Sequence, residues 1–462
     1  MRRGSIIGPV LLIVIGALFL ANNLHPELPT LKVVADWWPF VLIAWGAVRI
    51  AEITFWWRSG RPLPQNGIAG GEWAFIVFLC IAGSSIFYGQ KYRTRIPRIH
   101  VTGLEMLGDS YDYPLAPKSV DAGASPRIII DNARGNARVT GVAGTQVSAK
   151  GHTTVRAYTQ AEADKANQEC PLEVTRQGDV VIVRTNHERL TGNPRVSSDI
   201  EIVVPPGSTV EARGKYGDFD ITDIGGSVTV DSDNAGVRLN GIGGAVRVDA
   251  RRGDIIRAIN VKGNVEIRGS GADVELENIE GQSVVNGQYH GELVFRNLAK
   301  PFRFESQTTD LRVPRVVGKL EVSRGNVTGS DLAGPVYLKT RSKDVSLHGF
   351  SEGLDLQIDK GDVELRPGKL PLGRMDVRIR GGDVDVALPE GAKFELNAAT
   401  DRGAVENGFA GSLREDRAGK GARLSGSVGG GPMISLHTDR GRVSVRKSAD
   451  PAPQAKVEIQ RQ

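Results

Sequence analysis

Gly217-Asp-Phe-Asp-Ile-Thr-Asp-Ile-Gly-Gly-Ser-Val-Thr-Val (residues 217–230) and Gly236-Val-Arg-Leu-Asn-Gly-Ile-Gly-Gly-Ala-Val-Arg-Val (residues 236–248) are two versions of one unit. Shorter echoes follow at Gly253-Asp-Ile-Ile, Asp273-Val-Glu-Leu, Asp344-Val-Ser-Leu, Gly361-Asp-Val-Glu-Leu and Gly382-Asp-Val-Asp-Val. In each, a turn-forming pair precedes two or three alternating apolar residues, and a second turn and short run complete the unit. It returns roughly every 17–20 residues, a period that marks solenoids. Alternation puts Val, Ile and Leu on one face of each strand and charged side chains on the other. Gly-Asp, Gly-Asn and Gly-Gly supply the turns. One coil cannot bury its apolar face, but stacked coils share a continuous core. The expectation is an all-β domain over residues 126–446, a β-solenoid or a closely related stack of short strands.

Working backwards, strand-like runs are expected at Arg127–Asp131, Ala137–Thr140, Leu172–Val174, Val180–Val183 and Ile200–Val204, closed by Pro205-Pro206-Gly207. One short helix is expected near 159–170, where Thr159 and Glu162 have the spacing of a capping box. Residues 97–125, with Pro114 and Pro117, read as a linker. Working forwards, Gly408–Gly431 is glycine-rich and polar and reads as a loop. Ile434–Thr438 and Arg442–Arg446 read as closing strands, and 447–462 as a disordered tail.

Residues 1–96 have the composition of a membrane region. Apolar runs at Ile6–Leu20, Trp37–Ile50 and Trp73–Tyr88 approach the roughly 20 residues that a membrane-crossing helix needs. Tryptophans cluster at the ends of the second and third, as at a headgroup interface. Three spans are expected, with two spans plus an interfacial segment as the alternative. Arg49 and Glu52 sit a turn apart at the end of the second run. They are either a contact for a membrane partner or a pair reaching the interface. Arg2 and Arg3 before the first run favour an inside N-terminus and an outside repeat domain, although the opposite orientation scores about as well on Lys/Arg counts.

Lys+Arg 58 against Asp+Glu 53 leaves a net charge of +5, a mixed surface without the clustered basic and aromatic residues of a nucleic-acid face. Aromatic content of 6% with 57 glycines suits a turn-rich β repeat and not a large enzyme core. Cys80 lies in an apolar run and Cys170 in the soluble part, which argues against a structural disulfide and leaves the redox compartment open.

Ile7-Gly8-Pro9-Val10-Leu11-Leu12-Ile13, Gly16, Leu18-Phe19-Leu20-Ala21-Asn22-Asn23-Leu24 and Trp38-Pro39-Phe40-Val41-Leu42-Ile43 resemble the LiaI/LiaF-like transmembrane region. Pro205-Pro206-Gly207, Tyr216-Gly217-Asp218-Phe219 and Gly381-Gly382-Asp383-Val384 are similar to the bacterial adhesin-like β-strand repeat domain, related to the toast-rack modules of envelope-stress proteins. Together the resemblances imply a bacterial envelope protein of the inner (cytoplasmic) membrane, in stress sensing or adhesion, with no catalytic residues to carry over.

The chain lacks a Gly-x-Ser-x-Gly elbow, a phosphate loop and a His-Glu-x-x-His motif, and its seven histidines show no metal-type spacing. No catalytic residue, cofactor or metal is expected. Asp231, Asp233 and Asn234 could hold calcium but lack the downstream glutamate of an EF-hand, so turn chemistry is preferred. The enzymatic alternative is a solenoid carbohydrate-active enzyme using Asp218, Asp220 and Asp233 from successive coils; the plainer reading is cross-strand charge pairing. The reading is a non-catalytic envelope-stress sensor or scaffold with a membrane partner such as a sensor kinase. The first alternative is an adhesin-like surface that binds envelope polysaccharide or another cell.

Overall fold

The computed structural model describes residues 109–190 and 195–448, together with Ile43, Ala47, Ile50, Ala51, Thr54, Phe55 and Arg58. The chain divides into two units, Met1–Asp109 and Ser110–Gln462. In the first, the seven described positions between 43 and 58 are helical, and Thr54 Oγ1 donates to the Ile50 carbonyl at 2.7 Å. No helix among the described residues is long and apolar enough to cross a membrane. The three predicted spans are otherwise outside the described residues, as are Arg49, Glu52 and Cys80.

The second unit is a β-solenoid of two facing walls. On one wall Val210, Val228, Val246, Val265, Ser283 and Phe302 stand in parallel register on successive coils. On the other, Phe219, Val237, Ile256, Val274 and Leu293 do the same. All eleven are buried. The alternation read in 217–248 puts these positions inward, and the interior is one continuous apolar core.

The glycine and aspartate of the repeated pair have separate jobs at the coil corner. Gly382 has φ +147°, and a Cβ there would lie 2.0 Å from the Gly361 carbonyl oxygen of the coil below. The aspartate side chain accepts the next coil's amide: Asp344 Oδ1 from Asp362 N at 2.9 Å, Asp362 Oδ1 from Asp383 N at 2.8 Å, and Asp383 Oδ1 from Arg442 N at 2.8 Å. A second ladder runs along another corner, where Asn260, Asn278 and Asn297 have positive φ. Each donates its Nδ2 to the asparagine one coil earlier: Asn260 to Asn240, Asn278 to Asn260 and Asn297 to Asn278.

The stack is not uniform. Thr309–Val313 lies antiparallel between Phe302–Glu305 and Val336–Ser342, and Arg315–Val322 lies antiparallel between Leu293–Leu298 and Asn326–Ser330. One coil therefore runs backwards. Parallel stacking then resumes through Val327, Val345, Val363 and Val384 on one wall and Val336, Leu354, Met375 and Ile434 on the other.

At both ends the chain skips a level and returns. The coil of Arg127–Arg134 and Ala137–Gly141 is flanked by Val180–Arg184 and Arg195–Val204 on one side and by Thr209–Tyr216 and Phe219–Ile224 on the other. Met433–Arg440 likewise inserts between Met375–Gly381 and Phe394–Arg402.

Several expectations are corrected. The stretch 97–125 contains a strand, Asp109–Asp121, that pairs with Gln146–Ala157. Its prolines are tolerated because it lies at an edge, where a missing amide leaves no ladder bond unmade. The expected loop 408–431 contains a hairpin, Leu413–Ala418 and Gly421–Val428, turning at Gly419-Lys420. Leu413, Ala422 and Leu424 are buried, so the glycine-rich surroundings mark the turns and not the whole segment. Lys447, assigned to the tail, ends the last strand; positions 449–462 lie outside the described residues.

The helix is Gln160–Glu169, with Thr159 Oγ1 accepting from Glu162 N at 3.3 Å; Glu162 Oε2 in turn accepts from Tyr158 N at 3.1 Å. It buries Ala163 and Ala166 against Val155, Ala157, Val196 and the free Cys170, forming a cap with its own small core.

Candidate ligand-binding grooves

The solenoid's outward residues form rows running up the coils, because parallel register repeats every position at the next level. Two grooves result. The first, about 340 Å³, is lined by Asn136, Arg138, His152, Asp199, Glu201 and, among others, Asp218, Asp220 and Arg238. It contains two of the three carboxylates expected to cluster, and both are committed to structure. Asp218 Oδ2 meets Arg238 Nη1 at 2.9 Å while its Oδ1 accepts from Gly236 N at 2.9 Å, and Asp220 Oδ2 meets Arg138 Nε at 3.3 Å. Asp233 is not among the lining residues; it pairs with Arg251 Nε at 3.3 Å. The three carboxylates therefore do not converge: Asp218 is the corner aspartate of its coil, whereas Asp233 lies near the end of Val228–Asn234 on the next coil. Asn234, offered with Asp231 and Asp233 as a calcium ligand, donates instead to the Lys215 carbonyl at 3.5 Å.

The second groove, about 630 Å³, lies on the wall after the reversed coil. The hairpin turn Ser306–Thr309 bounds it, and stacked strands supply Lys339 and Arg341, Gln357 and Asp359, Arg378 and Arg380, then His437 and Asp439. Thr309 and Thr340 face inward below it, their hydroxyls 3.1 Å apart and buried. Some of its charges are paired: Arg380 Nη1 with Asp359 Oδ1 at 3.5 Å, and Arg378 Nη2 with Asp376 Oδ2 at 3.0 Å. Its lining is polar and of mixed sign, suited to an extended, hydroxyl-rich or charged ligand.

Residue spacing holds no sign of this groove. Its members come from separate coils and acquire proximity only through register. Cross-strand charge pairing, by contrast, is readable from alternation and recurs widely: Arg257 with Glu275 at 2.6 Å, Arg296 with Glu275 at 3.0 Å, and Arg446 with Asp385 at 2.7 Å.

A buried polar cluster lies under the N-terminal cap. His187 Nε2 is 2.9 Å from Ser198 Oγ, which is 2.9 Å from Thr153 Oγ1, and Asn132 Nδ2 donates to the Ser198 and Gly135 carbonyls. Burial is the main influence on His187, holding its pKa down to about 4, with Glu188 opposing and Arg134 reinforcing it. The Cys170 thiol is pushed up to about 11, chiefly by burial, with Glu169 and Glu188 adding to it. Neither group lines either of these two grooves.

Comparison with known proteins places a LiaI-LiaF-like transmembrane region at residues 6–50. That is the membrane family expected from Ile7–Leu24 and Trp38–Ile43. Among curated proteins no match is found. One crystal structure is similar, that of a "putative cell adhesion protein" from Clostridium sporogenes, with 8% identity over 74% of this chain and 100% of that one. Its TM-score of 0.17 is too low for the likeness to carry any inference. What stands is a chain with a LiaI-LiaF-like membrane region and a separate β-solenoid.

Proposed function

We propose that this chain is an integral protein of the bacterial cytoplasmic membrane whose solenoid is a non-catalytic sensing or scaffolding surface for the envelope, held on the outer side by a multi-pass anchor. The observation that carries this reading is the joining of a LiaI-LiaF-like transmembrane region to a solenoid whose outward rows are mixed charges. A long stack with charged outer faces and an apolar interior presents many weak contacts in a fixed geometry, which suits recognition of an extended partner. Asp218 and Asp220, the carboxylates an acid–base mechanism would need, are tied to arginines and to a backbone amide, which supports binding over turnover.

Signalling would pass through the membrane region to a partner such as a sensor kinase, with Arg49 and Glu52 as contact residues. The test is an envelope-stress reporter in cells carrying wild-type chain, Arg49→Ala, Glu52→Ala or no chain. The expected result is an altered induction threshold in both variants, with the solenoid still folded by circular dichroism. An unchanged threshold in cells lacking the chain would overturn the sensing role.

The second groove favours a second reading, an adhesin-like surface that takes envelope polysaccharide. Gln307, Thr308, Gln357 and the basic pairs Lys339/Arg341 and Arg378/Arg380 offer donors along one line. The full-length chain in detergent should retain purified envelope polysaccharide, and Arg341→Ala with Arg378→Ala should abolish retention. Failure to retain it would remove this reading and leave the first intact.

A further inference from the structure

The outer row beside the second groove alternates in sign until its last step. Arg341 lies level with Asp359, and Asp359 with Arg380, as the flanking pairs Thr340–Ile358, Ser342–Lys360, Ile358–Ile379 and Lys360–Gly381 require. The register of Ile379 with Thr438 sets Arg380 beside Asp439. The next level breaks the rule. Asp401 falls opposite Asp439, between the flanking pairs Thr400–Thr438 and Arg402–Arg440. Like charges directly opposite one another on a sheet are destabilising.

The adjoining row places a histidine at this step. His437 Nε2 is 3.3 Å from Asp439 Oδ1 and 4.0 Å from Asp401 Oδ2. One donor atom from each of the three lies within 4.8 Å of the other two, the one such group of three among the described residues. Two ligands about 2.1 Å from a tetrahedral zinc ion are about 3.4 Å apart, so the observed separations need only small side-chain adjustments to share one ion. His437 and Asp439 also line the end of the second groove, leaving one side of the cluster open to it.

We propose that Asp401, His437 and Asp439 form a binding site for a divalent transition-metal ion of the zinc class. The imidazole selects against calcium and magnesium, which take oxygen ligands, and in favour of metals that accept nitrogen with carboxylate. The ion offsets the repulsion between the two aspartates and ties the chain's returning strand, Met433–Arg440, to Phe394–Arg402. With three protein ligands, its remaining position faces the groove, where it can take water or an anionic group of a bound ligand.

The test is calorimetric titration of the full-length chain, in detergent and without a metal-binding tag, with zinc chloride. One equivalent should bind with micromolar affinity. Asp401→Asn and His437→Gln should each weaken it at least tenfold. His348→Gln, at the unrelated His348–Ser346 pair, should leave it unchanged. Far-UV circular dichroism checks each variant. If His437→Gln does not fold, the exposed Asp401→Asn carries the comparison. No zinc binding by the wild-type chain, or wild-type affinity in Asp401→Asn, overturns the site; binding of calcium and not zinc overturns the metal class. None of these outcomes depends on the sensing role, which the stress reporter tests separately.

Discussion

Acidification should loosen the N-terminal cap before the rest of the solenoid, and His187 sets the size of the effect. Its folded pKa is about 4 against an ordinary value of 6.5, because burial beside Thr185 and Ser198 penalises the imidazolium. A folded pKa below the unfolded one means that the opened cap binds the proton more tightly. Cap stability is therefore full above about pH 6.5, falls as pH drops through that value and reaches its floor near pH 4. Each tenfold difference in proton affinity between the open and closed cap is worth about 1.4 kcal/mol, so the full loss is about 3 kcal/mol, or on the order of a hundredfold in the opening equilibrium. Because each solenoid level touches only its neighbours, the cap can open alone.

Cys170 reports that event. It is 1% exposed and packs with Ala163, Ala166 and Val196 on the strand that also supplies Ser198. In the Cys80→Ser background, its labelling by dithiodipyridine, normalised to the denatured chain at each pH, gives the open fraction. That fraction should rise about a hundredfold from pH 7 to pH 4. In His187→Gln the rise should collapse. Flat labelling, or the same rise in His187→Gln, would refute the reasoning.

Three further tests follow from the stack. Phe295→Ala removes a fully buried ring whose centroid is 4.2 Å from that of Phe302, next to the reversed coil, and should cost about 3–5 kcal/mol by urea unfolding. Asp362→Ala removes the acceptor for the Asp383 amide and should cost about 1 kcal/mol, whereas Asp362→Asn should recover most of it; equal losses would show that charge, not the ladder bond, matters. Gly382→Ala forces a side chain into φ +147° and onto the Gly361 carbonyl, and should lower the melting temperature more than Asp362→Ala does.

The repeat was legible because facing is encoded locally. Val228, Val230, Val237 and Leu239 announce which side is in, and Gly-Asp announces where the coil turns. Level was not legible. The coil at 127–141 presents the same apolar pattern as every other coil, so nothing local says that it lies between 180–204 and 209–224. The metal candidate is hidden for the same reason. Asp401 and His437 belong to strands that become neighbours only because Met433–Arg440 returns into a gap left between earlier coils. The corner aspartates mislead in the opposite way. Asp218 has the look of a chemical group, but its Oδ1 closes the bond to Gly236 that makes one coil seat on another.

Direction was the other silent property, since alternation with period two is the same read forwards or backwards. What reverses the coil at Thr309–Val322 is a pair of short serine turns. Ser306 Oγ accepts from Thr309 N at 3.1 Å, and Ser323 Oγ accepts from Asn326 N at 3.1 Å. Both join strands in hairpins, so the chain doubles back within one wall instead of crossing to the other. The second turn is also clamped from the next coil, where Lys343 Nζ donates to the Ser323 and Arg324 carbonyls, the latter at 3.0 Å. Burial lowers the Lys343 pKa, because it takes the ammonium out of water. Lys343→Met keeps the stem and deletes the donor. It should cost about 1–3 kcal/mol, with faster hydrogen exchange over 315–330 and little change at the cap. If exchange there is unchanged, the serine turns alone hold the reversed coil, and the clamp contributes nothing to its direction.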